Sequence, residues 1–239
     1  MPKVNPKSVN GTGSSKGASN AKFITFEGGE GVGKSTQVKQ LLTRLGHCSI
    51  SAVCTREPGG TPKAEAIRSF ILGGSSQSWG VGAEAVLFAA ARLDHVTKLV
   101  APNLESGNWV ISDRFHDSTR AYQGLTGGVE PKLIDALEEL ALNGYEPELT
   151  IMMDMDPKTA FERVEQRAIA SGIPVAADRF ESEDLDWHQR LRDGFLQIAK
   201  NNPQRCFVVD AAGDELDIAE EIWDVVTKQF PELNKKIDP

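Results

Sequence analysis

Residues 23–36 read FITFEGGEGVGKST, and no other stretch narrows the possible folds as far. An apolar run, Phe23–Phe26, feeds directly into Gly28, Gly29, Glu30, Gly31, Val32, Gly33, Lys34, Ser35 and Thr36. The pattern G-x-x-x-x-G-K-[ST] is a phosphate loop, which needs a strand before it and a helix after it. The glycines let the backbone curl so that successive N–H groups face phosphate oxygens. Side chains at positive φ would obstruct that curl. Lys34 can reach the outer phosphates, and the Ser35 hydroxyl can ligate Mg²⁺. The helix starting near Lys34 directs its positive end at the same anion. A site for a nucleoside triphosphate follows.

The rest of the chain supplies the partners such a loop needs. Val38, Leu41, Leu42 and Leu45 share one face of a helix over residues 35–46. A strand is predicted at 50–55, running into the Pro- and Gly-rich loop Thr55–Thr61, and a helix at 62–72. A long helix over 83–105, a strand at 109–112 and a helix at 131–142 come next. Strands at 149–154 and 206–211 and helices at 185–200 and 215–229 complete the pattern. Asp156 and Pro157 mark another helix start, and the Gly-, Pro- and charge-bearing stretch 170–184 reads as an exposed flap. Five apolar strands alternating with helices predict an α/β fold, a parallel sheet covered on both faces. Ligands then bind at the carboxyl ends of the strands. The phosphate loop, the 55–61 loop and the segment after residue 112 all leave strands at that edge.

Composition sets limits on the ligand. The chain has 239 residues, 40% of them hydrophobic, and a net charge of −8. That balance argues against a broad nucleic-acid surface, so a phosphorylated substrate needs a local basic pocket. No apolar run is long enough to span a bilayer. Cys48, Cys54 and Cys206 lack metal-like or CxxC spacing and read as buried thiols in a reducing, cytoplasmic setting. Residues 1–21 are Gly-, Ser-, Asn- and Lys-rich and are expected as a tail outside the fold, as are 231–239. A single domain is expected over 22–230.

Several side chains could carry chemistry. Asp113, at a strand end, can organise Mg²⁺ or cap a turn. Arg114 can grip a phosphate with two parallel bonds or form a surface ion pair. Phe88 and Arg92 lie one helical turn apart. From spacing alone they are a core ring and a solvated cation; together they could also stack on a base and bind its edge. Glu30, inside the loop, faces either solvent or a second ligand.

The blocks FEGGEGVGKST, TREPGGT, LFAAARLDH, WVISDRFHDSTRAYQG and DRFE resemble thymidylate kinases, in the family's order over about residues 22–230. The run DRF-x-D-S-T-x-A-Y-Q-G at 113–124 is especially specific. The resemblance implies a P-loop NTPase fold with a lid at about 163–184, transfer of the ATP γ-phosphate to dTMP, and a homodimer, through helices such as 83–105. It implies that Phe88 stacks on thymine, Arg92 binds the base edge and Arg114 holds the dTMP phosphate. Glu30 matches the carboxylate that contacts the deoxyribose 3′-hydroxyl. Tyr122 and Gln123 would lie along sugar and base, with Tyr122 crowding a ribose 2′-hydroxyl. Glu57, Arg68 and Thr119 are further substrate-binding candidates. One subtype of the family places a catalytic arginine inside the phosphate loop, where this chain has Gly31. The donor-side arginine is therefore expected in the lid: Arg167 first, with Arg163 and Arg179 as reserves. Arg179 could instead brace the lid through Asp178 or Glu181. A kinase for another nucleoside monophosphate, or a P-loop protein that uses ATP as a switch, are the alternatives.

Overall fold

The computed structural model describes residues 20–171 and 179–236. Five strands, β1 (Phe23–Glu27), β2 (Ala52–Arg56), β3 (Trp109–Asp113), β4 (Leu149–Asp154) and β5 (Cys206–Asp210), form one sheet in the order β2-β3-β1-β4-β5. Every pairing is parallel. The register places Phe26 and Arg56 opposite Asp113, and Asp154 opposite Asp210. The strands therefore end nearly level, and their loops leave from one edge. Chain order reverses on either side of β1, so the crevice opens at the phosphate loop.

All five residues of β1 are buried, as a central strand covered on both faces requires. Its side chains alternate. Ile24 and Phe26 pack toward α1 (Lys34–His47) and α9 (Glu215–Gln229), with Leu41, Leu45, Ile222 and Val226. Phe23 packs on the other face with Val96, Val100 and Phe115. Thr25 meets Thr150 across the ladder, 2.9 Å between hydroxyls. The same alternation turns Glu27 toward the segment that follows β3.

Local sequence starts the helices where expected. Thr61 Oγ1 accepts from Ala64 N at the head of α2 (Pro62–Leu72), and Asp184 from Trp187 N at the head of α8 (Leu185–Asn201). Asp156 accepts from Lys158 N and Thr159 N as α7 (Pro157–Ser171) begins. The long helix expected over 83–105 is present with one departure. Regular turns in α3 (Val81–His95) give way to a wider π-type turn over Val96–Val100 before α4 (Ala101–Glu105). Pro102 lacks the N–H that a regular helix would offer to the carbonyl of Lys98, which loosens the ladder there. After β3 come α5 (His116–Thr119) and a second wide turn, Arg120–Thr126; α6 (Pro131–Leu142) follows.

Both expected tail boundaries need correction. Ala21 is buried in the core, and the Asn20 carbonyl accepts from the Trp109 indole, so the folded chain starts before residue 22. Residues 1–19 lie outside the described residues. At the other end, Pro231–Lys236 forms a 3-10 helix whose Leu233 is fully buried against the α9 side of the sheet. Apolar side chains that can reach the core stay with it, whatever the polarity of their neighbours. Among the described residues, no helix is long and apolar enough to cross a membrane.

Candidate active site

The phosphate loop closes over β4 and α7. Gly28 and Gly31 have φ of 135° and 72°. A Cβ at Gly28 would lie 2.3 Å from the Met153 carbonyl oxygen, and one at Gly31 would lie 2.8 Å from the Ala160 carbonyl. Lys34 Nζ donates to the carbonyls of Gly28 and Gly29, at 3.2 and 2.6 Å. Its burial and the nearby Arg114 lower its pKa to about 8, although Glu30 and Asp113 oppose the shift. A lysine so placed gains from an anion. Ser35 Oγ donates to Asp113 Oδ2 at 2.6 Å, pairing the loop hydroxyl with the carboxylate at the end of β3.

Beside the loop stands the acceptor side. Arg114 has a left-handed φ of 69°, unusual for a residue with a side chain. Three contacts hold it: Nη1 donates to the Gly28 carbonyl (2.8 Å) and to Ser118 Oγ (3.2 Å), and Nη2 to Glu30 Oε1 (2.7 Å). The Tyr122 hydroxyl donates to the same Glu30 oxygen at 2.5 Å, and the Arg114 guanidinium lies 5.2 Å over the Tyr122 ring. Burial would raise the Glu30 pKa, but Arg114 and Lys34 outweigh it and hold the carboxyl at about 2. Glu30 is therefore ionised at any working pH.

Glu57 and Arg92 face each other deeper in. Arg92 Nε donates to Glu57 Oε2 at 2.7 Å, and Nη2 donates to the Phe115 carbonyl and Thr119 Oγ1 at 3.0 Å each. Phe88 stands a turn before Arg92, with its ring 6.4 Å from that of Phe180. A cavity of about 470 Å³ is lined by Glu30, Lys34, Ser35, Glu57, Arg68, Phe88, Arg92, Asp113, Arg114, Thr119, Tyr122 and Gln123 together. Residues from the ends of β1, β2 and β3 and from α2 and α3 thus meet in one space. The size and polar lining suit a nucleotide-sized ligand.

Glu57 borders this cavity, but its two oxygens are taken by Arg92 and His95 (2.7 Å each). It serves the arginine before any ligand. Arg68 Nη1 donates to the Pro58 carbonyl at 2.9 Å, which draws that side chain against the 55–61 loop. The two reserve arginines are committed elsewhere. Arg163 donates to the carbonyls of Ala211, Ala212 and Gly213 beyond β5. Arg179, for which Glu181 is one suggested brace, pairs with the buried Glu84 on α3 and lies 4.8 Å over the Phe180 ring. Asp178, the other suggested brace, lies outside the described residues. So do residues 172–178 of the expected lid and the side chain of Arg167, whose backbone belongs to α7.

Glu27 carries no signal in the sequence beyond its place at a strand end, yet it joins the two halves of the site. Its Oε1 accepts from the Phe115 and Ser118 amides (2.8 and 3.2 Å), and its Oε2 from Ser118 Oγ (2.6 Å). Burial and the nearby Asp117 push its pKa up to about 8. Ser118 thus links Arg114 to the floor of the loop. Phe180 also escaped spacing arguments: it packs edge-on against Tyr122 at 5.3 Å and closes the cavity beside Phe88.

The thymidylate kinase family model matches residues 26–222. Thymidylate kinase from Bradyrhizobium sp. (strain ORS 278) is 44% identical over 90% of this chain and 93% of its own. That from Nitrobacter hamburgensis is 48% identical over 84% and 86%. Among solved structures, thymidylate kinase from Ehrlichia chaffeensis superposes with a TM-score of 0.69 at 32% identity, covering 86% of this chain and 98% of that one. Matched from phosphate loop to last helix, the chain belongs to the thymidylate kinase family.

Proposed function

We propose that the protein transfers the γ-phosphoryl group of ATP to dTMP, giving ADP and dTDP. The observation that carries this reading is the shared cavity, in which the phosphate loop and the Phe88, Arg92 and Arg114 side chains are walls of one space. An acceptor phosphate oxygen attacks the γ-phosphorus as the bond to the β,γ-bridging oxygen breaks. No general base is needed, because a phosphate monoester is largely dianionic near neutral pH, with its second pKa about 6. Arg114 holds that phosphate, and Lys34 exchanges its two loop carbonyls for phosphate oxygens.

Ser35 and Asp113 would hold Mg²⁺. The ion fits a hydroxyl–carboxylate pair beside phosphates because it keeps several waters and needs few protein ligands. Among the described residues no cluster of three His, Cys, Asp or Glu could hold a metal ion by itself. When bound, it neutralises charge on the phosphates.

Phe88 stacks on thymine, Arg92 reads its edge, and Gln123 and Thr119 border it. Glu30 and Tyr122 meet the deoxyribose, Tyr122 crowding a 2′-hydroxyl. Arg68 stands at the phosphate end. Lid closure excludes water, and Arg167 supplies donor-side charge. Arg167→Ala should lower kcat about a hundredfold, the lower range for losing such a donor; an unchanged kcat removes Arg167 from the mechanism.

Exposed Val86, Leu133 and Leu140 on the neighbouring helices α3 and α6 support a homodimer, which light scattering would test. Cys48 and Cys206 are buried as expected, whereas Cys54 is exposed on the edge strand β2; the three free thiols support a reducing, cytoplasmic location. The function itself is tested by phosphorylation of dTMP, dUMP, dCMP, dGMP and AMP in parallel. Preference for any acceptor but dTMP would sink it.

A further inference from the structure

Arg92 is not held by a single neighbour. Behind it runs a chain of buried hydrogen bonds that leads away from the cavity wall. Arg92 Nε donates to Glu57 Oε2 at 2.7 Å, while the other oxygen, Oε1, lies 2.7 Å from His95 Nδ1. The opposite ring nitrogen, His95 Nε2, lies 2.7 Å from Thr55 Oγ1. An ionised carboxylate only accepts, so Nδ1 carries the hydrogen; in the neutral ring, Nε2 then accepts from the Thr55 hydroxyl. Thr55, Glu57, Arg92 and His95 are 7%, 5%, 3% and 0% exposed. Gly60 seals the far end: a Cβ there would lie 2.6 Å from Thr55 Oγ1 and 2.7 Å from His95 Cδ2.

The geometry sets the plane of the guanidinium. Nε and Nη2 of Arg92 are both committed, to Glu57 on one side and to Phe115 and Thr119 on the other. Among the described residues Nη1 has no hydrogen-bond partner, which leaves it for a ligand. The terminal torsion of a glutamate is intrinsically broad. A bond from Arg92 alone would let the Glu57 carboxylate rotate and carry the guanidinium with it. His95 on the second oxygen stops that rotation, and Thr55 stops the ring from turning. Gly60 packs against the pair so closely that any side chain there would displace them.

We propose that Thr55 and His95 are positioning residues for acceptor selection: through Glu57 they hold Arg92 in the orientation that reads the pyrimidine edge. The proposal rests on the reading of Arg92 as the base-edge contact. Neither residue borders the cavity, so neither touches the substrate.

Steady-state kinetics of the full chain with dTMP, dCMP and ATP test it, on His95→Leu, His95→Asn, Thr55→Val and Arg92→Met, with a thermal melt for each. A misplacement of about 1 Å costs on the order of a hundredfold. His95→Leu should therefore lower kcat/KM for dTMP by about 10- to 100-fold, chiefly through KM, and narrow the preference for dTMP over dCMP. The KM for ATP should stay within about twofold, because the chain does not reach the phosphate loop. His95→Asn should recover most of the loss, since its amide can place a donor where Nδ1 stood. Thr55→Val should show a smaller loss of the same kind.

A folded His95→Leu enzyme with unchanged dTMP kcat/KM overturns the proposal. So does a parallel loss in ATP KM, which a merely structural role would produce. Should His95→Leu not fold, the isosteric Thr55→Val decides, and an unchanged dTMP KM refutes the chain. Arg92→Met separates the two layers. If it collapses the dTMP preference while the His95 and Thr55 variants do not, only the positioning chain falls. If it leaves the preference intact, the base-edge role of Arg92 falls, and the chain with it.

Discussion

Replacing Gly31 by alanine should destabilise the protein by about 2–5 kcal/mol. Two costs contribute. Gly31 sits at φ 72°, a left-handed conformation that costs a residue with a side chain about 1–2 kcal/mol. The added Cβ would also lie 2.8 Å from both the Ala160 carbonyl oxygen and Val164 Cγ2, contacts that force α7 away from the loop. Overpacking of that kind costs about 1–3 kcal/mol. For a chain this long each kcal/mol moves Tm by about 2–4 °C, so a drop of about 4–20 °C is expected in a calorimetric scan. Gly29→Ala is the internal control, because a Cβ there meets nothing within 4 Å. Gly31→Ala melting within about 1 °C of the parent, or Gly29→Ala falling as far, would refute the reasoning. An arginine at Gly31 carries the same Cβ and meets the same backbone.

Other outcomes follow from the buried charges. Glu30, held at about 2 against an ordinary 4.5, stabilises the fold above pH 4.5 and loses that contribution as pH falls toward 2. Glu30→Gln should cost about 1–3 kcal/mol at pH 7, with the gap to the parent in urea titrations narrowing between pH 5 and pH 3; a gap independent of pH would contradict it. Glu27 works in the opposite sense: its pKa is raised to about 8, so stability is lost as pH rises from 4.5 through 8. Glu27→Gln should escape that decline, and urea midpoints that fall in parallel for both proteins would exclude it. Glu84→Ala strands the Arg179 guanidinium and should cost about 3–5 kcal/mol, the usual result of removing one member of a buried pair. An unchanged melt would show that solvent reaches Arg179 after all. Asp113→Asn should weaken Mg²⁺ dependence, raising the Mg²⁺ concentration for half-maximal rate with little change in Tm; an unshifted Mg²⁺ titration argues against the Ser35–Asp113 site.

Much of the fold was legible locally. The five strands and their neighbouring helices fall within a few residues of their predicted spans, because apolar period and capping residues act over one or two turns. The phosphate loop was legible for the same reason: its glycines, Lys34 and Ser35 are consecutive. Phe88 and Arg92 were legible only in part. Spacing put them on one helix face, and the family resemblance, not the spacing, assigned that face to a ligand. The wide turns at Val96–Val100 and Arg120–Thr126 left no clear mark, since a single extra residue per turn barely alters the apolar period.

What the sequence determined alone was therefore the menu: a parallel α/β sheet, a phosphate loop, and the chemical types gathered at its edge. Tertiary structure decided the partners. Arg114 meets Glu30 across 84 residues, Glu27 reaches Ser118 across 91, and Arg179 finds Glu84 across 95. Those meetings depend on β1 lying between β3 and β4, an order set by how the crossovers pack. A side chain's charge is a local property. Its neighbour, and hence its pKa, its orientation and its role, belongs to the sheet order that brings distant strand ends to one edge.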